Sequence, residues 1–187
     1  FLILLSLVTY LPNIQSWGYY RDDWHMLWVA NSAGPAGVLR LFSTDRPFMG
    51  LIYGWEWLVL GNSPLAWNLF AFTLRVMGIL IFYDLARMVF TGKKLFALTI
   101  ALMFAIYPGY WQLPNGNTFQ NHHMGLLLAL ISLNFSIRAL DTKNQRWRVI
   151  SVLLSVLSQS TYLMIYEYMI GFEAARLFLF FYYCRPK

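Results

Sequence analysis

The chain has 187 residues, of which 59% are hydrophobic, 19% aromatic and only 12% charged, against about 25% charged in an average soluble domain. That composition excludes an ordinary water-soluble domain and points to a membrane protein. The formal charge of +6 does not mark a nucleic-acid binder, because the basic residues sit in short clusters between apolar runs, as membrane-orientation signals do. A single cysteine, Cys184, excludes an internal disulfide and a cysteine-based metal cluster.

Apolar stretches near the roughly 17 to 25 residues that cross a bilayer are expected at 1–17, 64–90, 93–110, 119–140, 147–166 and 168–184. The first has no basic flank and no small-residue cleavage site, so it reads as a retained helix rather than a signal peptide. The chain starts at Phe1 and ends at Arg185-Pro186-Lys187 just past an apolar run. It therefore reads as the N-terminal part of a longer protein, inactive by itself. The expected fold is all-α: a polytopic transmembrane helical bundle with interfacial helices in a long first extracytoplasmic loop, 18–63.

Orientation follows from lysine and arginine. Arg87, Lys93 and Lys94 flank the connection after the second span, Arg138, Lys143, Arg146 and Arg148 that after the fourth, and Arg185 and Lys187 follow the sixth. By the positive-inside rule these connections are cytoplasmic. The alternate connections, 18–63, 109–118 and the turn near Glu167, then face the other side. The polar residues of the loop thus gather on the non-cytoplasmic face.

The loop opens with "GYYRDDWHML" (Gly18 to Leu27), which sets Arg21, Asp22, Asp23 and His25 among aromatics directly after the first apolar run. Its centre, "NSAGPAG", is expected to break any helix. After Pro47 the run "FMGLIYGWEWLVLG" is too short to span but suits a helix in the interface, with Tyr53, Trp55 and Trp57 at headgroup level. Tyr110 and Trp111 are read first as part of the same aromatic belt.

A first helix followed at once by "DD", the "RP" element in "STDRPFMGLIYGW" and the run "LGNSPLAWNLFAFTLRVMGILIFYDLARMVF" together resemble the opening of GT-C type membrane glycosyltransferases, the class of protein O-mannosyltransferases and aminoarabinose transferases. The resemblance covers the fragment in helix order and is sharpest from Gly18 to Phe90. It implies that Asp22 or Asp23 is the catalytic base or orients the acceptor. It also implies a sugar donor carried on a polyprenyl phosphate or pyrophosphate, a lipid, glycan or protein acceptor, and transfer with inversion.

The residue types suit that chemistry. A carboxylate has to take a proton from the attacking group, within hydrogen-bond reach of it. Cations or hydrogen-bond donors have to stabilise the departing phosphate, and Arg21, Arg46, His122 and His123 are the candidates. Adjacent residues on a helix point about 100° apart, so one aspartate is expected to work while the other turns to water, Arg21 or a metal. The pair also suits helix capping, and Arg46 also suits a lipid headgroup phosphate. Adjacent histidines diverge and do not chelate one ion, so no metal site is assigned, although a divalent cation between carboxylate and phosphate fits the chemistry.

Five further charged residues read as structural. Arg75 lies about 15 Å into a span and needs a carboxylate, a backbone carbonyl or water as partner. Asp84 with Arg87, and Glu173 with Arg176, read as local pairs at a spacing of three. The competing functional readings are a transporter or flippase-like protein, whose charges line a path, and a noncatalytic membrane subunit. The default location is a bacterial inner membrane, with the endoplasmic reticulum as alternative.

Overall fold

α4 (Pro64–Val89), α6 (Gly116–Asp141) and α7 (Gln145–Ile165) frame the molecule, a computed structural model that describes residues 1–107 and 116–183. The sequence readings that fall on Pro108 to Trp111 and on Cys184 to Lys187 lie outside the described residues. These three helices, of 26, 26 and 21 residues, are long and apolar enough to cross a membrane. Each start has a local cause. The Ser63 hydroxyl accepts from the Ala66 N–H at 3.3 Å ahead of Pro64, which needs no partner for an N–H it lacks. Asn144 does the same for α7, accepting from Arg146 N–H at 2.9 Å.

α4 and α6 run parallel: Gly116 lies on Asn68 at one end and Asn134 donates to Asp84 at the other, 2.7 Å. α7 returns antiparallel, so that Ser155 meets Ser132 and Ser136. The approach at Gly116 leaves no room, since a Cβ there would sit 2.4 Å from Asn68 Oδ1 and 2.9 Å from its Cα. Gly116→Ala is therefore expected to destabilise the bundle by about 1–3 kcal/mol, read by thermal unfolding, as overpacking does. Gly171→Ala, with nothing within 4 Å of the added Cβ, is the silent control.

The other elements are shorter. They are α1 (Leu2–Tyr10), a 3-10 turn (Ile14–Ser16), α2 (Asp22–Leu41), α3 (Pro47–Leu60), α5 (Lys94–Ala105), a second 3-10 turn (Glu167–Ile170) and α8 (Gly171–Tyr183). Among the described residues there is no strand. The spans expected at 64–90, 119–140 and 147–166 correspond to the three frame helices. Among the described residues, the α-helices within 1–17, 93–110 and 168–184 are α1, α5 and α8, of 9, 12 and 13 residues. Leu11 still has helical dihedrals, φ −81° and ψ −28°, and α1 ends because Pro12 has no N–H to continue the ladder and Asn13 takes a left-handed conformation, φ 64°.

α2 and α3 form a hairpin over one end of the frame. The expected break in "NSAGPAG" is a kink: Gly34, at φ 63°, interrupts α2 before Pro35. The two helices pack through small residues, a Cβ on Gly50 meeting Phe42 Cβ at 3.0 Å and one on Gly54 meeting Pro35 at 3.5 Å. α3 begins where expected, at Pro47, but Tyr53 is not at headgroup level. It is fully buried, stacked on Trp67 with centroids 5.0 Å apart and donating to Asn117 at 2.8 Å. Only Trp55 of the three aromatics points clearly outward, at 67% exposure.

The charged residues within the frame find partners. Arg75, 3% exposed, donates to the Ala105 carbonyl at 2.7 Å and lies 3.5 Å from the Tyr10 ring centroid, tying α4 to the end of α5 and to α1. Arg176 is held between α6, α7 and α8. It donates to Glu173 at 2.9 Å, as the spacing suggests, to Ser155 at 2.8 Å, to Ser132 at 2.6 Å and to Ser136. The Tyr162 hydroxyl donates to the same Glu173. Asp84 departs from expectation. It pairs with Arg138 at 2.5 Å, while Arg87 lies over the Tyr83 ring, because α6 supplies a guanidinium one helix away that the α4 sequence does not reveal.

Because α4 and α6 are parallel, Arg87, Lys93, Lys94, Arg138, Lys143, Arg146 and Arg148 gather at one end of the bundle. The α2–α3 hairpin sits at the other.

Candidate functional site

The start of α2 and the start of α6 are joined through Asp23. Its Oδ2 accepts from the Tyr20 N–H at 3.0 Å, and its Oδ1 accepts from the Thr118 N–H at 2.9 Å and the Thr118 hydroxyl at 2.6 Å. One carboxylate thus satisfies backbone donors that two helix starts leave open. Asp23 is 1% exposed, and burial raises its carboxyl above the usual range despite these bonds, with the neighbouring Asp22 charge adding to the rise. Asp22, one residue earlier, is exposed. The pair therefore splits as helix geometry demands: Asp23 clamps and Asp22 faces out.

Asp22 faces a cleft of about 430 Å³ between α2, the α2–α3 connection, the start of α6 and the turn after α7. His25 lies one helical turn from Asp22 and lines the same cleft, as do Asp45, Arg46, His122, Tyr166 and Tyr168. Arg46 is half-buried and only loosely paired, at 3.8 Å from Asp45 and 3.8 Å from Glu167. Its guanidinium carbon is 5.2 Å from the Tyr166 ring centroid. Its Nε is buried without a hydrogen-bond partner among the described residues. A half-buried guanidinium with an unused donor suits an anion better than the two distant carboxylates it now shares.

His122 is fixed from both sides. Its Nδ1 is 2.6 Å from the Tyr168 hydroxyl and its Nε2 3.2 Å from the Tyr166 hydroxyl, while the ring stacks on Tyr166 and Phe119 at 4.4 and 4.9 Å. A neutral imidazole there donates through one nitrogen and accepts through the other. Burial raises the Tyr166 and Tyr168 phenols above their ordinary range.

Of the residues expected at the site, Asp22, Arg46 and His122 come together. Asp23 is adjacent but closed. Arg21 does not line the cleft: it is exposed, at φ 50°, with its guanidinium 5.2 Å from the Tyr20 ring. His123 is buried on a different face of α6 and does not line it either, as adjacent helical positions diverge. Among the described residues no group of three or more His, Cys, Asp or Glu could hold a metal ion, so no step is assigned to one.

Sequence reasoning missed His25, Asp45, Tyr166, Tyr168 and Glu56. The i,i+3 spacing from Asp22 is enough to find His25. Tyr166 and Tyr168 are brought in by the turn after α7, which leaves no mark in the local pattern.

Glu56 belongs to a buried polar group between α3 and α6. Gln120 donates to its Oε2 at 2.6 Å, while Glu56 Oε1, Gln120 Oε1, Asn117 Nδ2 and both Asn121 side-chain atoms are buried without a partner among the described residues. The Tyr19 hydroxyl is likewise buried without a partner among them, its phenol pushed up to about 12 by burial and by the Asp23 charge. Burial raises the Glu56 carboxyl from 4.5 to about 8. The folded state therefore keeps a proton that the unfolded chain gives up. Stability from this group is complete below about 4.5 and is lost as pH rises through about 8. Melting temperature should fall over that window, and Glu56→Gln should flatten the dependence.

The chain shows no significant match to any protein-family model, curated protein or solved structure with which it was compared. The glycosyltransferase resemblance rests on its own residues.

Proposed function

We propose that the protein is a membrane glycosyltransferase, moving a sugar from a polyprenyl-phosphate or pyrophosphate carrier to an acceptor on the non-cytoplasmic face. The basic end of the bundle is then cytoplasmic and the α2–α3 hairpin is not, by the positive-inside rule. The observation that carries the reading is the pairing, in one cleft, of the exposed carboxylate Asp22 with the half-buried guanidinium Arg46, whose Nε has no hydrogen-bond partner among the described residues.

Asp22 accepts the proton of the acceptor hydroxyl as its oxygen bonds to the anomeric carbon. The bond from that carbon to the phosphate oxygen breaks, and its electron pair stays on the phosphate beside Arg46. His122, held between two phenols, offers a fixed polar wall rather than a moving base. Asp23 keeps the two helix starts, and hence Asp22 and His122, in register.

The test uses the full-length protein in liposomes without any ion gradient, supplied with a panel of polyprenyl-phosphate sugars and candidate acceptors. Release of free polyprenyl phosphate with loss of one donor supports transfer. Donors that stay intact, together with gradient-dependent movement of a labelled headgroup, overturn it in favour of transport.

A further inference from the structure

A second cleft, of about 600 Å³, opens at the basic end of the bundle, between α4 and α7 over one face of α6. Ile81 and Met88 of α4 and Ile131 and Phe135 of α6 make apolar walls. The polar residues are the Asp84–Arg138 pair, with Asn134, Asp141 and Trp147 beside it. Trp147 is 60% exposed. Asp84 lies five residues inside the end of α4 and Arg138 three inside the end of α6, about 8 and 5 Å below the helix ends.

The pair is only half used. Asn134 and Arg138 both donate to Asp84 Oδ2, at 2.7 and 2.5 Å, and Oδ1 accepts no hydrogen bond among the described residues. Arg138 spends Nε on Asn134 at 2.6 Å and Nη2 on Asp84, and Nη1 donates to none of them. Both side chains are more than a third exposed, so an open carboxylate oxygen and an open guanidinium nitrogen face the same space. Asp141 adds a second negative charge. Arg138 and, nearby, Arg87 supply positive charge to the same site, so it offers acceptors and donors side by side.

We propose that this cleft binds a zwitterionic phospholipid bearing a primary ammonium, phosphatidylethanolamine in chemical class. Its ammonium donates to Asp84 Oδ1 and Asp141, its phosphate accepts from Arg138 Nη1, and an acyl chain lies along Ile131 and Phe135 between α4 and α7. Trp147 stands at the rim, where indoles favour the interface. A quaternary ammonium has no N–H to donate, so phosphatidylcholine loses the carboxylate bonds. A glycerol headgroup carries no ammonium to donate to the two carboxylates. The site lies at the opposite end from the glycosyl-transfer cleft and does not depend on it.

Native mass spectrometry of the full-length protein in nonionic detergent, titrated with dioctanoyl phosphatidylethanolamine, phosphatidylcholine or phosphatidylglycerol, tests the assignment. The ethanolamine lipid is expected to bind about 10- to 100-fold more tightly than the others, the usual yield of a hydrogen bond to a charged group. Asp141→Asn and Asp84→Asn should each erase most of that preference, whereas Arg138→Gln should weaken all three lipids. Should Asp84→Asn fail to fold, Asp141→Asn carries the test alone, since Asp141 makes no ion pair with the described residues. Equal binding of the three lipids, or a preference for phosphatidylglycerol, overturns the proposal, as does an unchanged preference in Asp141→Asn.

Discussion

Asp22→Asn is expected to lower turnover by about 100- to 10,000-fold, the usual contribution of a positioned base, while leaving the thermal unfolding of the protein unchanged. Asp22 is exposed, so its charge can be removed without disturbing packing. Asp23→Asn should behave in the opposite way. Both oxygens of Asp23 accept hydrogen bonds, and an amide there turns an NH2 group toward the N–H of either Tyr20 or Thr118. A buried donor left facing a donor costs about 1–3 kcal/mol, so Asp23→Asn should lower the melting temperature and lose activity only in proportion to unfolding. Parallel kcat and melting measurements on the two variants separate the roles. A loss of kcat in a fully folded Asp23→Asn protein, with Asp22→Asn active, would reverse the assignment.

Arg46→Gln should reduce kcat/KM for the lipid donor by about 10- to 100-fold, the equivalent of one charged hydrogen bond to the phosphate. Arg46→Lys should recover only part of this. An ammonium keeps the charge but cannot reproduce the planar fork that now lies over Tyr166 with Nε buried. The acceptor KM should not move in either variant. An equal rise in both KM values would instead mark Arg46 as a residue that shapes the cleft.

The helical frame was legible because its determinants are local. Long apolar runs, Pro64 after Ser63 and Pro47 after Arg46 mark α4 and α3 within a residue or two of where they begin. The division of labour between Asp22 and Asp23 was half legible. Helical geometry requires that they diverge, but which one is buried depends on Thr118, 95 residues away. Tyr53 was misplaced for a related reason. An amphipathic aromatic reads the same whether its polar tip meets a headgroup or, as here, Asn117. Asp84 was assigned to Arg87 because spacing reveals neighbours on one helix and not those on the next. Arg21 and His123 were grouped with the donor site on sequence position alone, and side-chain direction separates them from it.

The seat of Arg176 bears on how the chain is assembled in the first place. A buried guanidinium is costly unless nearly all of its donors are met. The hydroxyls of Ser132, Ser136 and Ser155 that receive it belong to two earlier helices and converge only when those helices are side by side. The seat that holds α8 therefore exists only once α6 and α7 have packed on each other.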